Sequence, residues 1–232
     1  SYMMLKRIAR SQGHELVMRI HHKGGRNFGQ HLNLELSKNV INEGGYDLFI
    51  LQDQSFGPAL YADDPVTFND NCKKITENIR AKSPSAKIIL ENTWAFACVL
   101  DNPPAKYQAA YCGFKNFAGM DAKLTQGCKM LKDKCPEIAE ISPIGPGFAN
   151  YRALYPSFYP STSTSSVYSL YAKDDDSRGN HHPNINGSYL KACVNYLTIY
   201  KTKFSGDVDN CGVNATVAAK IRQIAEETVF GK

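Results

Sequence analysis

Apolar residues recur along this chain at two spacings, and the two alternate. Over 2–11, Met4, Leu5 and Ile8 fall on one side of a predicted helix that Gly13 brings to a stop. The next stretch, 15–20, alternates apolar and polar residues as a half-buried strand does. Helical spacing returns at 30–39. Gly44 and Gly45 then interrupt the chain before 46–51, a compact apolar run of the kind that buried parallel strands show. A helix is predicted over 68–81, a turn at 83–85, and a buried strand over 87–90 that leads out through Glu91, Asn92, Thr93 and Trp94. A long helical region follows over 107–131 with a break near Gly119, then a strand over 138–141. Two amphipathic helices, 188–200 and 215–229, close the pattern.

Alternating strands and helices with short connections imply an α/β protein: a three-layer α/β/α arrangement around a mainly parallel, doubly wound sheet. Such a domain usually opens with a central strand that feeds its first helix, and here the chain opens in the helix itself. The expectation is that a first strand precedes Ser1. Catalytic groups in open parallel sheets sit at the carboxyl ends of strands, so the end of that strand is where chemistry is expected. At 232 residues and 43% hydrophobic, the sequence suits one domain spanning 1–232.

A net charge of +5 spread along the chain, with no Lys/Arg block interleaved with aromatics, argues against a nucleic-acid partner. No apolar run reaches the roughly 18 to 20 residues needed to span a bilayer, and the N-terminal residues do not read as a signal peptide. Membrane insertion is not expected. Seven cysteines (72, 98, 112, 128, 135, 193 and 211) lack any C-x-x-C pair or zinc-type spacing. Disulfides suit them better, and with the sequons at Asn186 and Asn214 they favour a secreted, extracellular or lumenal glycoprotein. An odd count leaves at least one thiol over. Cys193, on an apolar helix face, suits a buried small hydrophobe.

The most distinctive chemistry is the run His181, His182, Pro183, Asn184, Ile185, Asn186, Gly187, Ser188, Tyr189, Leu190, preceded by Asp174, Asp175 and Asp176. A carboxylate shortly before a histidine can hold one ring nitrogen and leave the other to take a proton from a serine. Three further segments accompany it: Gly24-Gly25 with His31, the strand end Leu51-Gln52-Asp53-Gln54-Ser55, and the strand end Thr93-Trp94-Ala95. With Ser142-Pro143-Ile144-Gly145 as a Pro-hydrophobic-Gly strand exit, their order and spacing resemble the SGNH hydrolase (GDSL-type esterase) superfamily across most of the chain. That resemblance implies an SGNH, flavodoxin-like fold and a serine nucleophile at the end of the first strand.

The resemblance also implies roles. His182, directly before proline, is the general base, with His181 the alternative. The family's acid lies about three residues upstream, where this chain has Gly179; the acid is therefore expected from Asp176, Asp175 or Asp174 through a longer loop. Gly25 supplies a backbone N–H to the oxyanion hole, and Gln54 stands where the family has an asparagine whose amide is a second donor. No Gly-Asp-Ser or Gly-Asn-Ser occurs, so the nucleophile is expected ahead of Ser1, or at Ser1 itself.

The expected activity is serine-dependent hydrolysis of a small-molecule or carbohydrate ester, removal of acetate being the leading case, with no metal or organic cofactor. Two alternatives remain. A non-catalytic carbohydrate-binding protein on the same fold would keep the cleft and lack the serine. A metal site would draw on His21, His22, His31, His181 and His182. The tyrosine-rich stretch 151–171 reads as a long loop that shapes the pocket.

Overall fold

The structure, a computed structural model, describes residues 1–61, 65–97, 114, 116–155, 167–172 and 181–231. In chain order its elements are α1 (Tyr2–Ser11), α2 (Phe28–His31), α3 (Glu35–Glu43), β1 (Leu48–Leu51), α4 (Gly57–Tyr61) and α5 (Pro65–Lys82). They continue with β2 (Lys87–Glu91), α6 (Phe117–Lys134), β3 (Ile138–Ser142), α7 (Ile144–Leu154), α8 (Ile185–Tyr200) and α9 (Ala215–Phe230). The chain divides into two compact units. One comprises Ser1–Met18, Trp94–Asp121 and Pro143–Lys232, the other Arg19–Thr93 and Ala122–Ser142.

The second unit holds the sheet, three parallel strands in the order β1-β2-β3. Central β2 is apolar on both faces, as a covered parallel strand must be: Ile88 and Leu90 point one way, Ile89 the other, and all are buried. Onto the Ile88 and Leu90 face pack Cys72, Ile75 and Ile79, one stripe of α5, together with Cys128, Leu131 and Cys135 from α6 and its end. Three-and-four spacing creates those stripes. Gly127 lets α6 approach closely, since a Cβ there would lie 1.7 Å from the Pro58 carbonyl oxygen.

The first unit is built around α8, which is buried on every side: Tyr189, Leu190, Ala192, Cys193, Val194, Tyr196 and Leu197 make its apolar faces, and polar Lys191, Asn195 and Thr198 are buried as well. A helix buried all round belongs in the middle of a bundle, and α8 packs against α1, α7 and α9. Gly147 of α7 faces it, with its Cβ position 3.4 Å from Val194 Cγ2. Arg7 closes the outside with a two-point contact to Asp209 at 2.8 and 2.9 Å.

Several expectations are corrected. Residues 15–20 are not a strand: no described strand pairs with them, and Val17 is 95% exposed. The helix predicted over 30–39 is two short ones, because Asn27 and Gln30 form a capping box that starts a helix early and Leu34 turns extended before α3. Gly119 does not break α6 but lies in its first turn, where the side-chain Oδ1 of Asn116 accepts from its N–H. Residues 107–113 lie outside the described residues.

The two helices not predicted are α4 and α7. In α7 the run Gly145-Pro146-Gly147 resembles a loop, yet Pro146 stands in the first turn, where its missing N–H costs nothing.

The disulfide expectation is also corrected. Cys72, Cys128, Cys135, Cys193 and Cys211 are free thiols, buried where a small apolar group fits; Cys98 and Cys112 lie outside the described residues. Asn186 does not offer its sequon, since its buried amide donates to the carbonyls of Val167 and Ser169. No helix among the described residues is long and apolar enough to cross a membrane.

Candidate active site

His182 sits on the turn into α8, and the backbone on both sides of it is pinned. Ala172 donates its N–H to the His182 carbonyl (2.9 Å), and Asn184 donates to the Leu170 carbonyl (2.9 Å), an antiparallel bridge between Tyr171 and Pro183. Asn184 then caps α8: its Oδ1 accepts from Asn186 and Gly187, and its Nδ2 donates to the Ser169 carbonyl at 2.8 Å. Gly187 makes this approach possible, because a Cβ there would lie 2.2 Å from the Leu170 carbonyl oxygen.

The two histidines of this turn differ in surroundings. His181 is buried, its ring 5.1 Å from that of Phe96, and its carbonyl accepts from Trp94 Nε1 at 2.8 Å. His182 is exposed, with its ring 4.0 Å from His181. Trp94 stacks on Phe148 at 5.2 Å, and Tyr171 donates its hydroxyl to the Ala95 carbonyl at 2.7 Å. Trp94 and Ala95 therefore support the histidine turn. Buried Lys191 lies under the same group, 3.4 Å from the Tyr2 hydroxyl and 5.7 Å from the centre of the Trp94 ring. Asp174, Asp175 and Asp176 lie outside the described residues.

Gly25 and Gln54 belong to the unit that holds the sheet. Gly25 turns with a φ of +69°, a backbone that side chains rarely adopt. Gln54 follows β1, half-buried, in a tight turn closed by Gly57 donating to the Gln54 carbonyl at 2.8 Å. Thr93 Oγ1 donates to the next carbonyl, that of Ser55, at 2.8 Å.

Asp53 connects the two segments. It is 1% exposed, and its Oδ1 accepts from the backbone N–H of Phe28 (2.9 Å) and of Gln54 (2.8 Å), so the start of α2, three residues past Gly25, is tied to the end of β1. Burial pushes its carboxyl up to about 7, against the pull of the two N–H bonds. No role for Asp53 was expected from the sequence. The signal was present: an acid at the carboxyl end of an apolar parallel strand, between two glutamines.

Two other histidines, His21 and His31, lie side by side in the unit that holds the sheet. His31 Nδ1 lies 3.0 Å from Ser37 Oγ, its ring meets that of His21 edge-on at 5.7 Å, and burial lowers its affinity for a proton. Among the described residues no group of three or more His, Cys, Asp or Glu is arranged to hold a metal.

The chain matches no protein-family model and no curated protein. Among solved structures, it is similar to a DUF4886 family protein from Bacteroides uniformis ATCC 8492. The TM-score is 0.66 and the identity 15%, over 98% of this chain and 89% of that one. A second similar structure is a "putative SGNH hydrolase" from Slackia heliotrinireducens, with a TM-score of 0.57 and 22% identity over 84% of this chain and 90% of that one. Likeness at these identities concerns the fold: an SGNH-like α/β architecture, with a small parallel sheet flanked by helices.

Proposed function

We propose that this protein is a serine-dependent ester hydrolase that removes an acyl group, acetate in the leading case, from a carbohydrate. The observation that carries this reading is the presentation of His182: an exposed imidazole on a backbone held from both sides by the 170–172 segment and by the Asn184 cap. A general base must be reachable by substrate and also fixed in place. The SGNH-like fold and the likeness to a structure described as a "putative SGNH hydrolase" support the same reading.

In this mechanism His182 takes the proton of a serine as that serine attacks the ester carbonyl. It then returns the proton to the departing alkoxide. One of Asp174, Asp175 and Asp176 orients the imidazole. The resemblance assigns the oxyanion donors to the N–H of Gly25 and the amide of Gln54, groups that act only as charge forms. Secretion belongs to the same proposal, because carbohydrate esters of cell surfaces and cell walls lie outside the cell.

The test is hydrolysis of an activated acetyl ester by the full-length protein. His182→Ala should lower kcat by about 10³-fold or more at unchanged thermal stability, and Gln54→Ala by on the order of 10²-fold. Equal rates for wild type and His182→Ala would overturn the hydrolase and leave the carbohydrate-binding reading.

A further inference from the structure

Asp53 does more than fill space at the end of β1. Its Oδ1 serves two backbone donors from separate segments, and its Oδ2 is buried without a hydrogen-bond partner among the described residues. Gly57 leaves room for that oxygen: a Cβ at Gly57 would lie 2.7 Å from it. From the packed helices the titratable groups that face the carboxyl are the thiols of Cys72 on α5 and Cys128 on α6, and its charge opposes their ionisation. The segments at α2, β1 and α4 face it with the backbone N–H of Phe28, that of Gln54, and Gly57.

We propose that Asp53 is a positioning residue of the oxyanion site: its carboxyl ties the segment after Gly25 to the backbone of Gln54, and gain or loss of its proton sets how firmly both are held. This rests on the hydrolase reading for the role of the site, while the tie itself rests on the hydrogen bonds.

A carboxylate accepts N–H bonds about twice as strongly as a neutral acid. Two bonds to one oxygen mean that both backbones tighten or slacken together. Because burial holds the proton on until about pH 7, the tight form grows through neutrality. Activity depends on every group of the site, so activity alone does not isolate Asp53. The amide protons of Phe28 and Gln54 do, since each reports directly on the oxygen it donates to.

The experiment follows the amide proton shifts of Phe28 and Gln54 by nuclear magnetic resonance in the full-length protein between pH 5 and 9. Both should move downfield with one common midpoint near 7. In Asp53→Asn, whose Oδ1 keeps both bonds as a neutral acceptor, neither should show that step. Different midpoints for the two amides, no step in the wild type, or the same step in Asp53→Asn would overturn the proposal.

The wild-type titration decides the question even if the variant fails to fold. In the folded variant, kcat on the acetyl ester should fall about 10-fold with KM changed less than about 2-fold, and one ionisation should disappear from the pH profile. An unchanged kcat and profile would overturn the positioning role. A wild type without esterase activity would defeat the hydrolase reading instead and leave the amide titration to decide the tie.

Discussion

Glycines at Gly127 and Gly187 are where single atoms decide most. A methyl group at Gly127 would collide with the Pro58 backbone at 1.7 Å, and neither partner can swing aside as a long side chain can. Gly127→Ala should therefore cost about 3 kcal/mol or more in urea denaturation. Gly147→Ala makes the contrast: its methyl meets Val194 Cγ2 at 3.4 Å inside a helix that favours alanine, and the net change should stay within about 1 kcal/mol.

Asp53 adds a pH dependence. Its folded carboxyl, at about 7, sits above its ordinary value of 3.8, so between those values the folded chain holds a proton that the unfolded chain has released. Its contribution is favourable at low pH and is lost as pH rises through 7, a penalty on the order of 4 kcal/mol for the buried ion. Asp53→Asn, which never ionises, should match the wild type in denaturation near pH 4 and exceed it above pH 8. The glycine contacts were not legible in the sequence, because they depend on which backbone passes within a few ångströms; at Asp53 the acid at the strand end was legible and the donors around it were not.

At the scale of elements, periodicity carried well where one face of a helix meets one core. The spacing over 68–81 and 215–229 matches α5 and α9 closely, the apolar run 46–51 contains β1, and the runs 87–90 and 138–141 match β2 and β3 to within one residue. It failed where local chemistry overrides period. Alternation at 15–20 describes residues with no partner strand among those described, and Gly-Pro-Gly concealed α7 because proline is harmless only in a first turn.

The block around His182 was legible as chemistry, but its support was not. The partner segment 167–172 holds it through backbone bonds that no side-chain pattern announces. Asn184→Ala should remove the α8 cap and the Ser169 bond together. The expected outcome is a loss of about 1 kcal/mol or somewhat more in stability and a lower kcat, read by thermal melts and ester hydrolysis.

For the whole molecule, the sequence motifs and the fold agree on an SGNH-like α/β architecture, with the SGNH likeness extending over 84% of the chain. Substrate and nucleophile belong to the proposal, since a fold hosts many reactions and only the site selects one. The most direct measurement is labelling of the full-length protein with a fluorophosphonate, which reacts with a serine only when a base and an oxyanion site activate it. The account predicts one label per chain, on a single serine, abolished by His182→Ala in a protein that still melts at the wild-type temperature. A folded wild type that takes no label, or a His182→Ala variant that labels as fast, would contradict it.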